Sequence, residues 1–179
     1  MLITTDDLCP ENLKHFSHWL EIKRTLPNIR LIAFTIANFK HEQDVSKSEE
    51  FKRWFEENKH WVEIGVHGYD HEYPPEWDRD DAPELVEKSL EILRPFLPEK
   101  FIYRPPGFQR TIELEPCLRR LGFAGVAYQQ RFRYFYPSGS VKIVEGVVNS
   151  HCCDRYENPI TRWREWFPVQ SIMAAQFQR

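Results

Sequence analysis

Short β-branched and aliphatic runs alternate with apolar stripes at helical spacing along most of this chain. Residues 2–5, 29–36, 61–66, 101–103, 125–128 and 141–150 read as strands, and 29–36 is apolar enough to be covered on both faces. Four stripes lie between them: Leu13, Phe16 and Leu20; Phe51, Trp54 and Phe55; Val86, Leu90, Leu93 and Leu97; and Leu114, Leu118 and Leu121. Each marks one side of a helix. Asp81 and Glu84 have capping-box spacing ahead of the third, with Pro83 in its first turn, and Gly122 stops the fourth. The tail 159–177 reads as helical, interrupted at Pro168. Strands that alternate with helices pair in parallel, because each crossover returns the chain to the same end of the sheet. The expected class is α/β, and such folds place their chemistry at the carboxyl ends of the strands.

The chain has 179 residues, which predicts one domain spanning 1–179. A net charge of −3 carries no electrostatic footprint for nucleic acid. No apolar run approaches the ~20 residues that span a bilayer. The first residues, Met-Leu-Ile-Thr-Thr-Asp-Asp, lack the basic and apolar regions of a secretory leader, and none of the four cysteines has CxxC spacing. These features predict a reduced, cytoplasmic protein, and nothing in them sets an oligomeric state.

The unusual polar residues fall where strands end. Asp6-Asp7 follows the first strand, His67-Gly68-Tyr69-Asp70-His71 the third and Arg104 the fourth, and His151 follows the last apolar run. Two adjacent carboxylates behind an apolar strand are costly to bury without a counter-charge. A metal ion would supply one. Histidines at i and i+4 meet a single ion if the backbone turns between them, which Gly68 permits. One carboxylate with two imidazoles suits catalytic zinc and leaves positions open for water and substrate.

Taken together, Thr4-Thr5-Asp6-Asp7, His67-Gly68-Tyr69-Asp70-His71, Arg104-Pro105-Pro106-Gly107 and Val148-Asn149-Ser150-His151 resemble the ordered motifs of the polysaccharide deacetylases, the NodB-homology group of carbohydrate esterases. The resemblance implies a distorted (β/α)7 barrel that removes an N-acetyl group from an amino sugar; the six strands read above fall one short of that barrel and leave room for a form trimmed by a strand. It implies that Asp7, His67 and His71 bind one divalent metal, usually Zn2+. Asp6 would then be the general base, held by Arg104, and His151 the general acid. A backbone N–H near Gly107 would help stabilise the oxyanion.

The chain departs from that pattern at three places. Leu8 stands where glycine usually follows the Asp pair, and Asn149 stands where a leucine lines the acetyl pocket. No Asp lies between Arg104 and Cys153 to partner His151, which leaves Glu145 or Asp154. Asn149 keeps a second substrate class open, a formamide or ureido group at the same metal site, and a carbohydrate-binding pseudoenzyme is the alternative from another class. His15, His18, His41 and His60 lack ligand spacing, and Asp70 reads as a loop acceptor. Tyr73, Trp77 and the stretch 128–136, with Arg131 and Arg133, are candidates for stacking on sugar rings or holding an anionic group.

Overall fold

The computed structural model describes residues 3–129, 131–145 and 148–151, the last of these segments as backbone. The chain forms β1 (Ile3–Leu8), a 3-10 turn (Pro10–Phe16), α1 (Ser17–Thr25) and β2 (Leu31–Thr35). A small hairpin of β3 (Asn38–Phe39) and β4 (Gln43–Asp44) leads to α2 (Glu49–Asn58). Then come β5 (Val62–Val66), α3 (Ala82–Leu93), β6 (Ile102–Tyr103) and α4 (Leu114–Arg120). The remaining elements are β7 (Gly125–Ala127), β8 (Arg131–Phe135), β9 (Val141–Glu145) and β10 (Val148–His151).

Eight strands make one sheet in the order β10-β1-β2-β5-β6-β7-β8-β9. The strands from β10 to β7 are parallel, and β8 and β9 each run antiparallel to the strand before them. β9 and β10 are the two outermost strands, yet only two residues separate Glu145 from Val148. Such a link spans at most about 11 Å, so the sheet has to curl until its edges approach. The result is a distorted barrel, as expected.

Core packing follows the strand periodicity. Along β2, Leu31 and Ala33 join the large cluster beneath the helices, with Phe16, Trp19, Phe51, Trp61 and Leu93. Ile32 and Phe34 point the other way and meet Ile102, Ala127 and Phe132 inside the curl. Both faces of the strand are therefore dry, which explains its unbroken apolar composition.

Several expectations need correction. Leu13 and Phe16 lie in a 3-10 turn with three residues per turn, which shifts the phase of α1, so that Trp19 and Ile22 are buried there and Leu20 is exposed. Asp81 makes no side-chain cap; its carboxylate is taken by Arg79 Nε at 3.4 Å. α3 stops at Leu93 and a 3-10 turn carrying Pro95 follows, so Leu97 is outside it. Residues 131–135 form a strand, and 141–150 is two strands that sit at opposite ends of the sheet order. The expected helix at 159–177 lies outside the described residues, as do Cys152, Cys153 and Asp154.

Candidate metal centre

β1 does not pair evenly with β2: Thr5 sits opposite Ala33 and Leu8 opposite Thr35, so β1 carries one extra residue. The extra residue makes a β-bulge at the Asp pair, a device that re-aims side chains. Asp7 takes φ 61°, a left-handed conformation that Asp tolerates better than most residues. Its carbonyl accepts the Asn12 side-chain amide at 2.8 Å. In a regular strand adjacent side chains face opposite ways. Here the bulge separates two tasks on one rim: Asp6 turns inward to Arg104, and Asp7 faces the two histidines.

His67 follows β5 and is almost completely buried. Its Nδ1 lies 2.9 Å from the Arg104 carbonyl, which can only accept, so Nδ1 carries the proton and Nε2 presents a lone pair. That Nε2 is 3.2 Å from Asp7 Oδ1, and His71 Nε2 is 3.2 Å from the same oxygen. One donor atom from each of the three residues lies within 4.8 Å of the others. A zinc ion holding its ligands at about 2.0 Å in a tetrahedron keeps them about 3.3 Å apart. The carboxylate–imidazole separations fit that figure, so residues and donor types both suit a single divalent ion. Burial acts to lower the His67 pKa, but hydrogen bonding to Asp7 and the charges of Asp6 and Asp7 outweigh it, and the net direction is up. The imidazole thus sits in a negative field, the field a cation needs.

Beneath this cluster, Arg104 and Asp6 form an ion pair in which neither side chain is exposed to solvent. Arg104 Nη1 also donates to Thr4 Oγ1 at 3.1 Å; Thr4 and Asp6 are two apart on β1 and share the inner face. The guanidinium lies 3.9 Å above the Phe34 ring centroid, closing the interior apolar cluster. Burial draws the Arg104 pKa down and Asp6 acts against it. The backbone N–H of Arg104 bonds to the Val66 carbonyl at 2.8 Å while its own carbonyl holds His67, so one residue ties Asp6 and His67 together.

Asp6, Asp7, His67, His71 and Arg104 therefore converge. Gly107 sits in the Pro106–Phe108 turn just after β6, at φ 63°. His151 ends β10, where its Cα pairs with that of Asp6, and Asn149 pairs with Thr4. The side chains of His151, Asn149 and Glu145 are outside the described set.

Asp70 is held by both nitrogen–oxygen contacts of Arg79 Nη1, at 3.1 and 2.9 Å, and by His41 at 3.2 Å. It anchors the loop, as its position between the histidines suggested. His41, Asp70 and Glu72 also come close enough to resemble a cation cluster, but Arg79 already occupies the buried carboxylate. Trp77 is not a sugar-facing wall: it is buried, and its indole N–H bonds to the Tyr103 hydroxyl at 2.8 Å. Tyr73 is 92% exposed. Arg133 is engaged by Glu115 at 2.6 and 3.3 Å.

Glu76 escaped sequence reasoning altogether. It lies in a proline-rich loop with no periodicity or motif spacing, yet its carboxyl is buried against the turn between the histidines. Burial pushes it up to about 7, partly offset by hydrogen bonds from Tyr103 and the Tyr69 N–H.

No protein-family model and no curated protein matches this sequence. Solved structures do match the fold. A family 4 acetyl xylan esterase from Clostridium thermocellum, in complex with a cobalt ion, superposes with a TM-score of 0.57 at 10% identity, over 98% of this chain and 85% of that one. A family 4 carbohydrate esterase from Streptomyces lividans, in complex with acetate, gives 0.54 at 14% identity over 72% of this chain. A family 4 pseudoenzyme from Bacillus anthracis gives 0.52 at 14% identity over 98% of this chain. The chain spans 62% and 59% of the length of the last two. The fold is the NodB-type distorted barrel of the family 4 carbohydrate esterases.

Proposed function

We propose that this chain is a metal-dependent hydrolase that removes the N-acetyl group of an amino sugar. The observation that carries the reading is the meeting of Asp7, His67 and His71 around one carboxylate oxygen, one residue along β1 from the buried Asp6–Arg104 pair. A divalent ion held by those three residues, zinc by the chemistry of the donors, would lower the pKa of water to about 7 and polarise the scissile carbonyl.

The chain's own residues do the rest. Asp6 accepts the proton of the attacking water. Arg104 keeps that carboxylate oriented and compensates its charge where solvent does not reach. His67 is locked in one tautomer by the Arg104 carbonyl, so it cannot rotate away from the Asp7 side. The backbone at Gly107 offers an N–H to the developing oxyanion. His151, one strand from Asp6, delivers a proton to the departing nitrogen. The barrel resembles that of esterases solved with acetate and with cobalt, which supports an acyl-transfer reading without naming the substrate.

Asn149 favours a second reading, in which the same centre cleaves a formamide or ureido group. A panel of N-acetyl and N-formyl amino sugars, assayed for acetate and formate with zinc-loaded, chelated and His67→Ala protein, separates these. Acetate release that stops on chelation and returns with zinc supports the first reading, and formate alone supports the second. Full turnover by chelated protein defeats both. Tight sugar binding with no turnover by the metal-loaded chain would make it a binding module.

A further inference from the structure

The turn between the two proposed ligand histidines rests on a carboxyl that is not itself a proposed ligand. Glu76 is 2% exposed, and its Oε2 accepts the Tyr69 backbone N–H at 2.7 Å. The hydroxyl of Tyr103, on β6 of the barrel, donates to Oε1. Trp77 Nε1 donates to that hydroxyl at 2.8 Å. Hydrogen bonds therefore join the barrel wall to the turn through the Glu76 carboxyl, which accepts at both oxygens. Gly68, at φ 75°, packs against the same group: a Cβ there would come within 2.9 Å of Glu76 Oε2 and 2.7 Å of Pro106 Cγ. On its other side the turn is held by Ala37 N–H to the Gly68 carbonyl at 3.1 Å, Asn38 N–H to the Tyr69 carbonyl at 2.6 Å and Asn38 Nδ2 to the Tyr69 hydroxyl at 3.1 Å.

We propose that Glu76 is a positioning residue for cation binding: its carboxyl sets the turn that brings His67 and His71 onto Asp7. This rests on the metal reading above. The turn holds two left-handed residues within four, Gly68 and His71, so its path is imposed by contacts and not by preference. Glu76 is the side chain that takes the Tyr69 N–H between them. Removing it leaves a buried amide without its acceptor and opens space under Gly68, and the His71 Nε2 contact at 3.2 Å is the first to suffer. A simple apolar filler could not hold that N–H.

The charged and titratable groups facing Glu76 are Asp70 and Arg79 of its own loop, Tyr103 of β6 and Cys117 of α4. When Glu76 loses its proton, the charge sits against the turn that carries both histidines, joined to it through the Tyr69 N–H. A gain in zinc affinity with rising pH that is steeper in the natural chain than in Glu76→Gln is thus a signature that loop packing alone does not produce.

The test is zinc affinity by competition with a chromogenic chelator, from pH 6 to 8, on the full chain and on Glu76→Ala, Glu76→Gln and Tyr103→Phe, with the Tm of each apoprotein. Glu76→Ala is expected to lose about 10–100-fold in affinity, the usual cost of removing a group that orients a metal ligand. Glu76→Gln keeps most of the affinity, since its amide oxygen still accepts the Tyr69 N–H, but loses the steeper pH dependence. If Glu76→Ala does not fold, Tyr103→Phe decides, because it keeps the ring and removes only the hydroxyl on Oε1. A measurable loss there supports the role. Natural affinity in Glu76→Ala, or in Tyr103→Phe where that variant decides, overturns it. Absence of zinc binding by the natural chain would instead sink the metal reading on which the role depends.

Discussion

Replacing Arg104 with methionine should strand a carboxylate in the barrel. In the native chain the Arg104 and Asp6 side chains have no solvent exposure, so their interaction escapes the screening that makes surface pairs weak. Methionine roughly fills the space against Phe34 but removes the donor from Asp6 and Thr4 and the cation above the ring. Breaking one partner of a buried pair costs about 3–5 kcal/mol, most of it the penalty of the uncompensated charge. For a chain of this length that corresponds to a fall in Tm of about 6–20 °C. Urea unfolding of the natural chain, Arg104→Met, Asp6→Asn and the double variant at neutral pH measures it. The double variant should regain about 1–2 kcal/mol over Arg104→Met, because the charge that was stranded is gone. A single variant within about 1 kcal/mol of the natural chain, or a double variant no better than the single, would refute the idea that this pair is charged and dry.

The other expectations are independent of one another. Glu76 is raised in the folded state from 4.5 to about 7, so the stability it contributes is fully present below about 4.5 and is lost as pH rises through about 7. That is about 3 kcal/mol between the two limits, and denaturant titrations at a series of pH values should show a flatter slope in Glu76→Gln. Gly68→Ala places a Cβ within 2.7 Å of Pro106 at φ 75°, and should cost at least 1–2 kcal/mol (~, from the left-handed backbone alone) and weaken zinc binding by the chelator assay. Asp6→Asn and His151→Ala should each lower kcat by about 10²–10⁴-fold while retaining bound zinc in elemental analysis. Loss of zinc from either would move that residue into the ligand set.

The alternation of strands and helices was plain in the residues because period and burial agree along β2, β5, α2 and α3. The site motifs were plain for a related reason: polar residues at the ends of apolar strands have few structural uses, so Asp6-Asp7, His67, His71 and Arg104 stood out. What failed was local phase and partnership. Leu20 looked buried until a 3-10 turn rotated α1, and residues 131–135 were not read as a strand because their aromatic and arginine alternation has no interior unless β7 supplies one. Asp81 kept its capping spacing and gave its carboxylate to Arg79.

Sequence by itself determined the α/β class, the strand that is dry on both faces, and which polar residues are gathered at one end of the sheet. Those properties depend on composition and spacing, which are local. Only the tertiary structure decided that a bulge sends Asp6 and Asp7 to different partners, that the Arg104 carbonyl selects the His67 tautomer, and that Glu76 supports the turn between the histidines. Each of these joins residues from separate strands or loops, with His67 and Arg104 37 positions apart and Asp6 and Arg104 98 apart. Their energies come from burial that exists only once the barrel has curled, and no pattern along the chain encodes which carboxyl will be left inside.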